Sequence, residues 1–171
     1  NGDTRLDIIA DTPPAAQLTI SAPLGIGADP PDVRLLNLQA TSTGGVVDLA
    51  VQDSVNIVAV TAGDRVQITA GGDITGNSVT STGAASGTDP SNPATGVILS
   101  SSTGSVDLAS VSSAQGVSLS APVAVSVDQI TVGTTLNLAS DQISASVTGT
   151  GSGGHGGSVG GFGGGPASNV N

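Results

Sequence analysis

The chain has 171 residues and a formal net charge of −10, with one phenylalanine and no tyrosine, tryptophan or cysteine. Nucleic acid is an unfavourable partner, because binding a polyanion needs clustered basic side chains and this chain has only the isolated Arg5, Arg34 and Arg65. We expect no membrane-spanning segment either, since no apolar run approaches the roughly 20 residues that such a helix needs.

Residues 1–35 form an irregular, proline-rich start. Two short apolar phrases at 6–9 and 18–20 are separated by prolines, which cannot donate to a strand ladder. We expect this segment to be the first coil or a cap. Because the sequence begins at Asn1 without a methionine, we also expect a processed chain or a piece of a longer one.

The body of the chain, residues 36–148, repeats short phrases of the form apolar-x-apolar. The phrases begin at Leu36, Val47, Val55, Val66, Val97, Val106, Val117 and Leu136. The first series takes one phrase per coil and runs through Leu18, Leu36, Val55, Ile74, Val97, Val117 and Leu136. A second series falls between them, with Val47 and Val66 in successive coils and likewise Val106 and Val127. This spacing predicts an all-β fold, a right-handed parallel β-helix (β-solenoid) with coils of about 19–20 residues and no helix.

Aliphatic residues would fill the interior of these coils. Alternation places Leu36 and Leu38 inward and Asn37 outward. A narrow solenoid needs few aromatic residues, and the in-phase β-branched phrases argue against the alternative of a disordered, low-complexity chain. Neighbouring coils should bring Arg34 beside Asp53, an exposed pair that would contribute only about 0–1 kcal/mol.

An inserted loop interrupts the body at residues 82–95. It coincides with the longest step of the first series, the twenty-three residues from Ile74 to Val97. We expect it to bulge from one corner without disturbing the stack, because loops carry insertions and binding residues. Its turn-forming residues are the candidate interaction site: Asp89, Pro90, Asn92 and Pro93.

Residues 149–171 are a glycine-rich tail with the composition of a flexible linker. Phe162 is the natural anchor if this tail lies along the solenoid. The single histidine, His155, stands between glycines, so no rigid scaffold could hold a catalytic partner beside it.

Three phrases of the body are similar to a known family. The stretch from Val66 to Ile74, the stretch from Val117 to Ala121 and the stretch from Leu136 to Ser140 resemble the L-x-L-x-A and G-G-x-I phrases of filamentous-haemagglutinin-like repeat adhesins, of the two-partner secretion type. The resemblance covers about two thirds of the chain. It implies a secreted shaft at the bacterial cell surface that carries binding activities on its loops.

An enzyme is not expected. Glycan-cleaving β-helices such as the pectate-lyase-like enzymes are the alternative, but their sites use acid pairs or basic residues with aromatic platforms. This chain has no lysine, glutamate, tyrosine or tryptophan. No cofactor is indicated.

Metal and lattice binding are minor alternatives. The weak calcium candidates are Asp53, Asp64 and Asp73, which lie near corners, although calcium needs roughly six to eight converging oxygen ligands. Ice or crystal binding would need a Thr-x-Thr array on a flat face, and the two such phrases, Thr41-Ser-Thr43 and Thr80-Ser-Thr82, do not repeat coil after coil.

These patterns favour an extracellular structural or adhesive module of a bacterial surface or matrix protein. Its partners would be a host or neighbouring-cell surface, the matrix of a biofilm, or other copies of itself. The alternative is a subunit of a self-assembling extracellular filament, joined end to end by stacking or by strand addition, because a solenoid exposes ladder edges at both ends.

Overall fold

The computed structural model describes residues 8–10, 17–27, 32–83 and 95–149. Within these ranges the protein is all-β, and its parallel strands stack as a β-solenoid of about six turns without a helix. The strands are β1 (Ile8–Ala10), β2 (Gln17–Ala22), β3 (Asp32–Leu35), β4 (Asn37–Ser42), β5 (Val47–Val51), β6 (Val55–Ala62), β7 (Val66–Ala70), β8 (Ile74–Ser81), β9 (Thr95–Ser101), β10 (Val106–Ser113), β11 (Gly116–Ser120), β12 (Ala124–Val132), β13 (Leu136–Ala139) and β14 (Gln142–Gly149).

Two parallel sheets run along the stack. The seven odd-numbered strands form one, here called the odd sheet, and the seven even-numbered strands form the other, the even sheet. Each coil adds one strand to each sheet: Val47 pairs with Val66, and Val55 with Ile74, nineteen residues later in both cases. This confirms the predicted coil length and the two strand phrases per coil.

The core lies between the two sheets as columns of aliphatic side chains. One column of the even sheet consists of Leu18, Leu38, Ile57, Gly76, Leu108, Val127 and Ala145. Interior members such as Ile57, and Ile68 and Leu99 of the odd sheet, have no exposed surface. Full burial of each such side chain stabilises the fold by about 1.5–3 kcal/mol relative to exposure.

The longer even strands bend around the core. In β6, Val55 and Ile57 are buried, the next two residues are half-buried, and Val60 and Ala62 are buried again. The alternation therefore shifts by one residue, and the pairing of β4 with β6 skips Val58 at the same point. Because a bulge bends its strand, one even strand covers two sides of the coil.

One inward prediction is wrong. Leu36 is 41% exposed, whereas Leu38 is fully buried and Asn37 is half-buried on the outside of the coil. Leu36 occupies the bend between β3 and β4, so it lies at a corner where strand alternation does not apply. The other seven phrases place both apolar residues in the core, with at most 3% exposure.

The predicted phase across the insertion is also wrong. Ile74 pairs with Val106, thirty-two residues later, rather than with Val97. Val97 instead continues the odd sheet, where it pairs with Val66, thirty-one residues earlier. The coil that contains the insertion is thus longer than predicted by a strand and a corner, and the first series passes from one sheet to the other at this point.

Two finer registers differ by two residues from those predicted. Leu18 pairs with Leu38 rather than Leu36, and Val127 pairs with Leu108 rather than Val106. A shift of two residues leaves every side chain on the same face, so the inward pattern alone does not distinguish these registers.

Candidate functional site

Buried serines stabilise the corners at which the chain passes from one sheet to the other. The Ser101 hydroxyl donates to the Gly72 carbonyl of the neighbouring coil and accepts from the Gly104 N–H, both at 2.8 Å. The Ser42 oxygen accepts from the Gly45 N–H at 3.1 Å. Because a buried hydroxyl is costly unless it is hydrogen-bonded, these contacts fix the corner geometry and position the outer surface.

The predicted ion pair between neighbouring coils is confirmed. Arg34 Nε lies 3.3 Å from Asp53 Oδ2, and the two side chains are 47% and 63% exposed. Asn37 pairs with Asn56 beside it, which confirms the predicted register of the second and third coils. At this exposure the pair contributes about 0–1 kcal/mol.

The three weak calcium candidates occupy two different corners. Asp53 and Asp73 follow odd strands in successive coils, and the Gly72 N–H donates to the Asp53 carbonyl at 3.2 Å. Asp64 lies at the opposite corner, between β6 and β7, where its carbonyl accepts from the Ser81 hydroxyl.

The Asp73 carboxylate serves the backbone: its Oδ1 accepts from the Ser105 N–H at 2.7 Å. In the described part of the chain, no group of three histidine, cysteine, aspartate or glutamate residues could hold a metal ion. The structure therefore does not bring the three candidates together.

Asp48 has the most unusual environment among the described acids. It lies on the outer face of β5 but is half-buried, and burial raises the pKa of its carboxyl above the ordinary value of 3.8. The nearby Arg65 guanidinium opposes that shift by favouring the charged form. Strand alternation between the buried Val47 and Leu49 places Asp48 on the outside, whereas its burial depends on neighbouring coils.

A column of hydroxyl side chains runs the whole length of the even sheet, on its outer face. It consists of Ser21, Thr41, Thr61, Thr80, Ser112, Thr131 and Thr148, one residue from each successive strand. The Thr-x-Thr pattern itself does not repeat on every coil, since Gly63 stands two residues after Thr61 and Ala114 two residues after Ser112. The single hydroxyl column becomes visible only in the correct register across the insertion. Parallel pairing sets its members about 4.8 Å apart.

Exposed apolar side chains are few and separate. Leu24, Leu36 and Val123 are the large exposed ones of the described residues, at three separate corners: after β2, between β3 and β4, and before β12. Single exposed apolar side chains are normal on protein surfaces. The described residues also include no helix long and apolar enough to cross a membrane.

The other predicted interaction residues lie outside the described residues. Asp89, Pro90, Asn92 and Pro93 fall in the undescribed part of the 82–95 loop, between β8 and β9. Phe162 and His155 fall in the tail beyond β14. The structure fixes only where these segments leave the solenoid: the loop at the corner after Gly83 and the tail after Gly149.

Comparisons of the chain with protein-family models, with curated proteins and with solved structures found no match. The parallel β-solenoid is thus established by the strand pairing of this chain, and the resemblance to one adhesin family rests on the sequence phrases alone.

Proposed function

We propose that this chain is an extracellular structural or adhesive β-solenoid module of a bacterial surface or matrix protein. The observation that carries the proposal is the unbroken parallel pairing from β2 to β14 in one sheet and from β1 to β13 in the other. Backbone hydrogen bonds then run along the axis at every coil, so the stack resists extension and holds loops at fixed positions.

The finer assignment, to the filamentous-haemagglutinin-like adhesins, is supported by the positions of its phrases. The stretch from Val66 to Ile74 forms β7, a corner and the start of β8. A Cβ atom at Gly71 would clash with the Gln52 carbonyl of the neighbouring coil, so this corner requires the small residue that the G-G-x-I phrase supplies.

The proposed role is non-enzymatic. The chain lacks the glutamate, lysine, tyrosine and tryptophan that glycan-cleaving sites use. Secretion to the cell surface is part of the same proposal, since adhesion to a host cell, a neighbouring cell or a matrix requires display outside.

Adhesion of coated beads tests the proposal. Beads that carry the full chain should bind to cell or matrix surfaces above beads that carry an unrelated acidic protein. The loop at 82–95 is the proposed contact, so replacing Asp89, Pro90, Asn92 and Pro93 together by serine should abolish binding. The melting temperature should stay within a few degrees, because the loop leaves the stack at a corner.

Two further results decide the matter. Replacing exposed Asp107 and Asp128 by asparagine removes charge from the strands and serves as the matched control, which should bind like the unaltered chain. Absence of binding by the unaltered chain, together with mechanical unfolding at low force in single-molecule stretching, would contradict both the adhesive and the structural role.

A second candidate is a subunit of an extracellular filament joined end to end by stacking or strand addition. The observation that favours it is that β2 and β14 are the outermost strands of the even sheet, each paired with one described neighbour. Removal of residues 150–171 separates the two modes, because joining through the tail would be lost and joining by stacking would persist.

A further inference from the structure

The two end strands of the even sheet, β2 and β14, each pack against only one described neighbouring strand. Their core-facing side chains are half-buried: Leu18, Ile20 and Ala22 in β2, and Ile143, Ala145 and Val147 in β14. The equivalent side chains one coil inward from β14, Val125, Val127 and Ile130, are at most 2% exposed. A further strand on either edge would complete their burial.

The direction in which a backbone N–H group donates depends on whether its residue faces inward or outward. Inward-facing residues donate to the following coil, as Val47 N–H does to the Arg65 carbonyl at 2.8 Å. Outward-facing residues donate to the preceding coil, as Asn56 N–H does to the Leu36 carbonyl at 2.9 Å.

This difference in direction makes the two end edges complementary. In β14 the inward residues Ala145 and Val147 direct their N–H groups toward the open edge, because no described coil follows. In β2 the outward residues Thr19 and Ser21 direct theirs toward the opposite edge, where no described strand pairs with β2. The edge of β14 can therefore accept the edge of β2 from another molecule as a normal parallel neighbour.

The side chains at the two edges also fit in the same register. Ala145 belongs to the inward column that begins with Leu18, and Val147 belongs to the column that begins with Ile20. Stacking would place a small residue against a large one in the first column and two branched residues together in the second, as in the interior of the core. On the outside, Thr148 would extend the hydroxyl column to Ser21.

We propose that a second copy of this chain stacks on the first, with its β2 on β14 in the register that pairs Leu18 with Ala145 and Ile20 with Val147. The contact is head to tail, so repetition gives an open filament rather than a closed dimer. This inference rests on the proposed role as a structural module and specifies its partner: an identical solenoid.

Sedimentation velocity of the full chain at rising concentration tests the stacking, with two proline variants. Ala145→Pro removes an N–H that faces the open edge of β14, and Thr19→Pro removes one that faces the open edge of β2, so neither should break pairing within the molecule. The unaltered chain should form a ladder of oligomers. Each variant alone should stay monomeric at concentrations at least about tenfold higher, a difference of about 1.4 kcal/mol in the contact.

An equimolar mixture of the two variants gives the sharpest result. The Ala145→Pro copy keeps its β2 edge and the Thr19→Pro copy keeps its β14 edge, so the mixture should form dimers and nothing longer. Circular dichroism melting of each variant identifies any loss of fold, and the mixed dimer is itself evidence that both variants are folded.

Two outcomes would overturn the stacking. One is a chain that remains monomeric at all concentrations, and the other is oligomers that persist in both proline variants, which would place the joint elsewhere, for example in the tail. Either outcome leaves the adhesion of coated beads unaffected, so failure of the stacking is distinguishable from failure of the proposed function.

Discussion

At the scale of single residues, close contact between coils decides which side chains are tolerated. Gly76 takes a core position that Leu, Ile or Val fills in most other coils, and its φ is +134°. A Cβ atom there would clash with the Ile57 carbonyl of the preceding coil. The glycine therefore has a steric cause, and the core column is interrupted where backbone replaces side chain.

Asp48 gives a pH-dependent prediction at the same scale. Burial raises its pKa in the folded chain, so the folded state binds more protons than the unfolded state between the ordinary value of 3.8 and the raised value. Stability from this group is present below that window and is lost as pH rises through it. We expect Asp48→Asn, which mimics the protonated form, to be more stable than the unaltered chain at neutral pH.

Urea unfolding across a pH series measures this effect. The advantage of Asp48→Asn should shrink as pH falls and vanish below about 3.8. Asp128→Asn is the control, because it removes the same charge from an exposed position of β12. An equal, pH-independent gain in both variants would show that relief of the overall negative charge, and not burial, is responsible.

At the scale of elements, the corners depend on individual hydroxyl groups. Ser101→Ala should lower the free energy of unfolding by about 1–3 kcal/mol, because the Gly72 carbonyl and the Gly104 N–H both lose their side-chain partner at a buried corner. Ser140→Ala is the matched control: its hydroxyl is equally buried but has no described partner, so its loss should be neutral or stabilising.

Chemical unfolding of the two serine variants checks the prediction. Their side-chain volume change is identical, so a difference between them reports the hydrogen bonds alone. Equal destabilisation of both variants would mean that lost packing at the corner, and not hydrogen bonding, determines the stability of this element.

The strands could be predicted from the sequence, whereas the connections could not. Val47 and Val66 occupy equivalent positions in neighbouring coils because the strand phrase recurs after nineteen residues, and within each phrase inward and outward residues alternate. The length of a loop carries no such period, so the insertion after β8 concealed that Val97 belongs to the odd sheet. The inward prediction for Leu36 is wrong for a related reason, because that residue lies at a corner rather than within a strand.

The surface features were predictable to the extent that they depend on one local register. The Arg34–Asp53 pair needs only two adjacent coils, and the sequence places the two residues nineteen apart. The hydroxyl column needs the register of every coil, including that across the insertion, so it required the structure. The half-burial of Asp48 likewise depends on packing that no periodicity encodes.

At the scale of the whole molecule, the stack is close to one-dimensional. Each described strand pairs with its neighbours in adjacent coils, so stability is approximately a sum of coil terms and nearest-neighbour terms. The fully buried Leu99 lies in β9 of the odd sheet, with strands on both sides, and the half-buried Ile143 lies in β14, the end strand of the even sheet in the last described coil. Substitutions at the two sites should therefore destabilise different sets of strands along the axis.

Hydrogen exchange tests this difference. Leu99→Ala should cost about 2–5 kcal/mol, because it leaves a cavity in a packed core, and should reduce amide protection most in β7, β9 and β11. Ile143→Ala should cost less and increase exchange in β12 and β14, with little effect on β5, since an end coil can open by itself. Equal loss of protection in every strand for both variants would instead identify one fully cooperative unit. The nearest-neighbour description requires the two exchange patterns to differ, because in a stack each coil is held only by the coils that it touches.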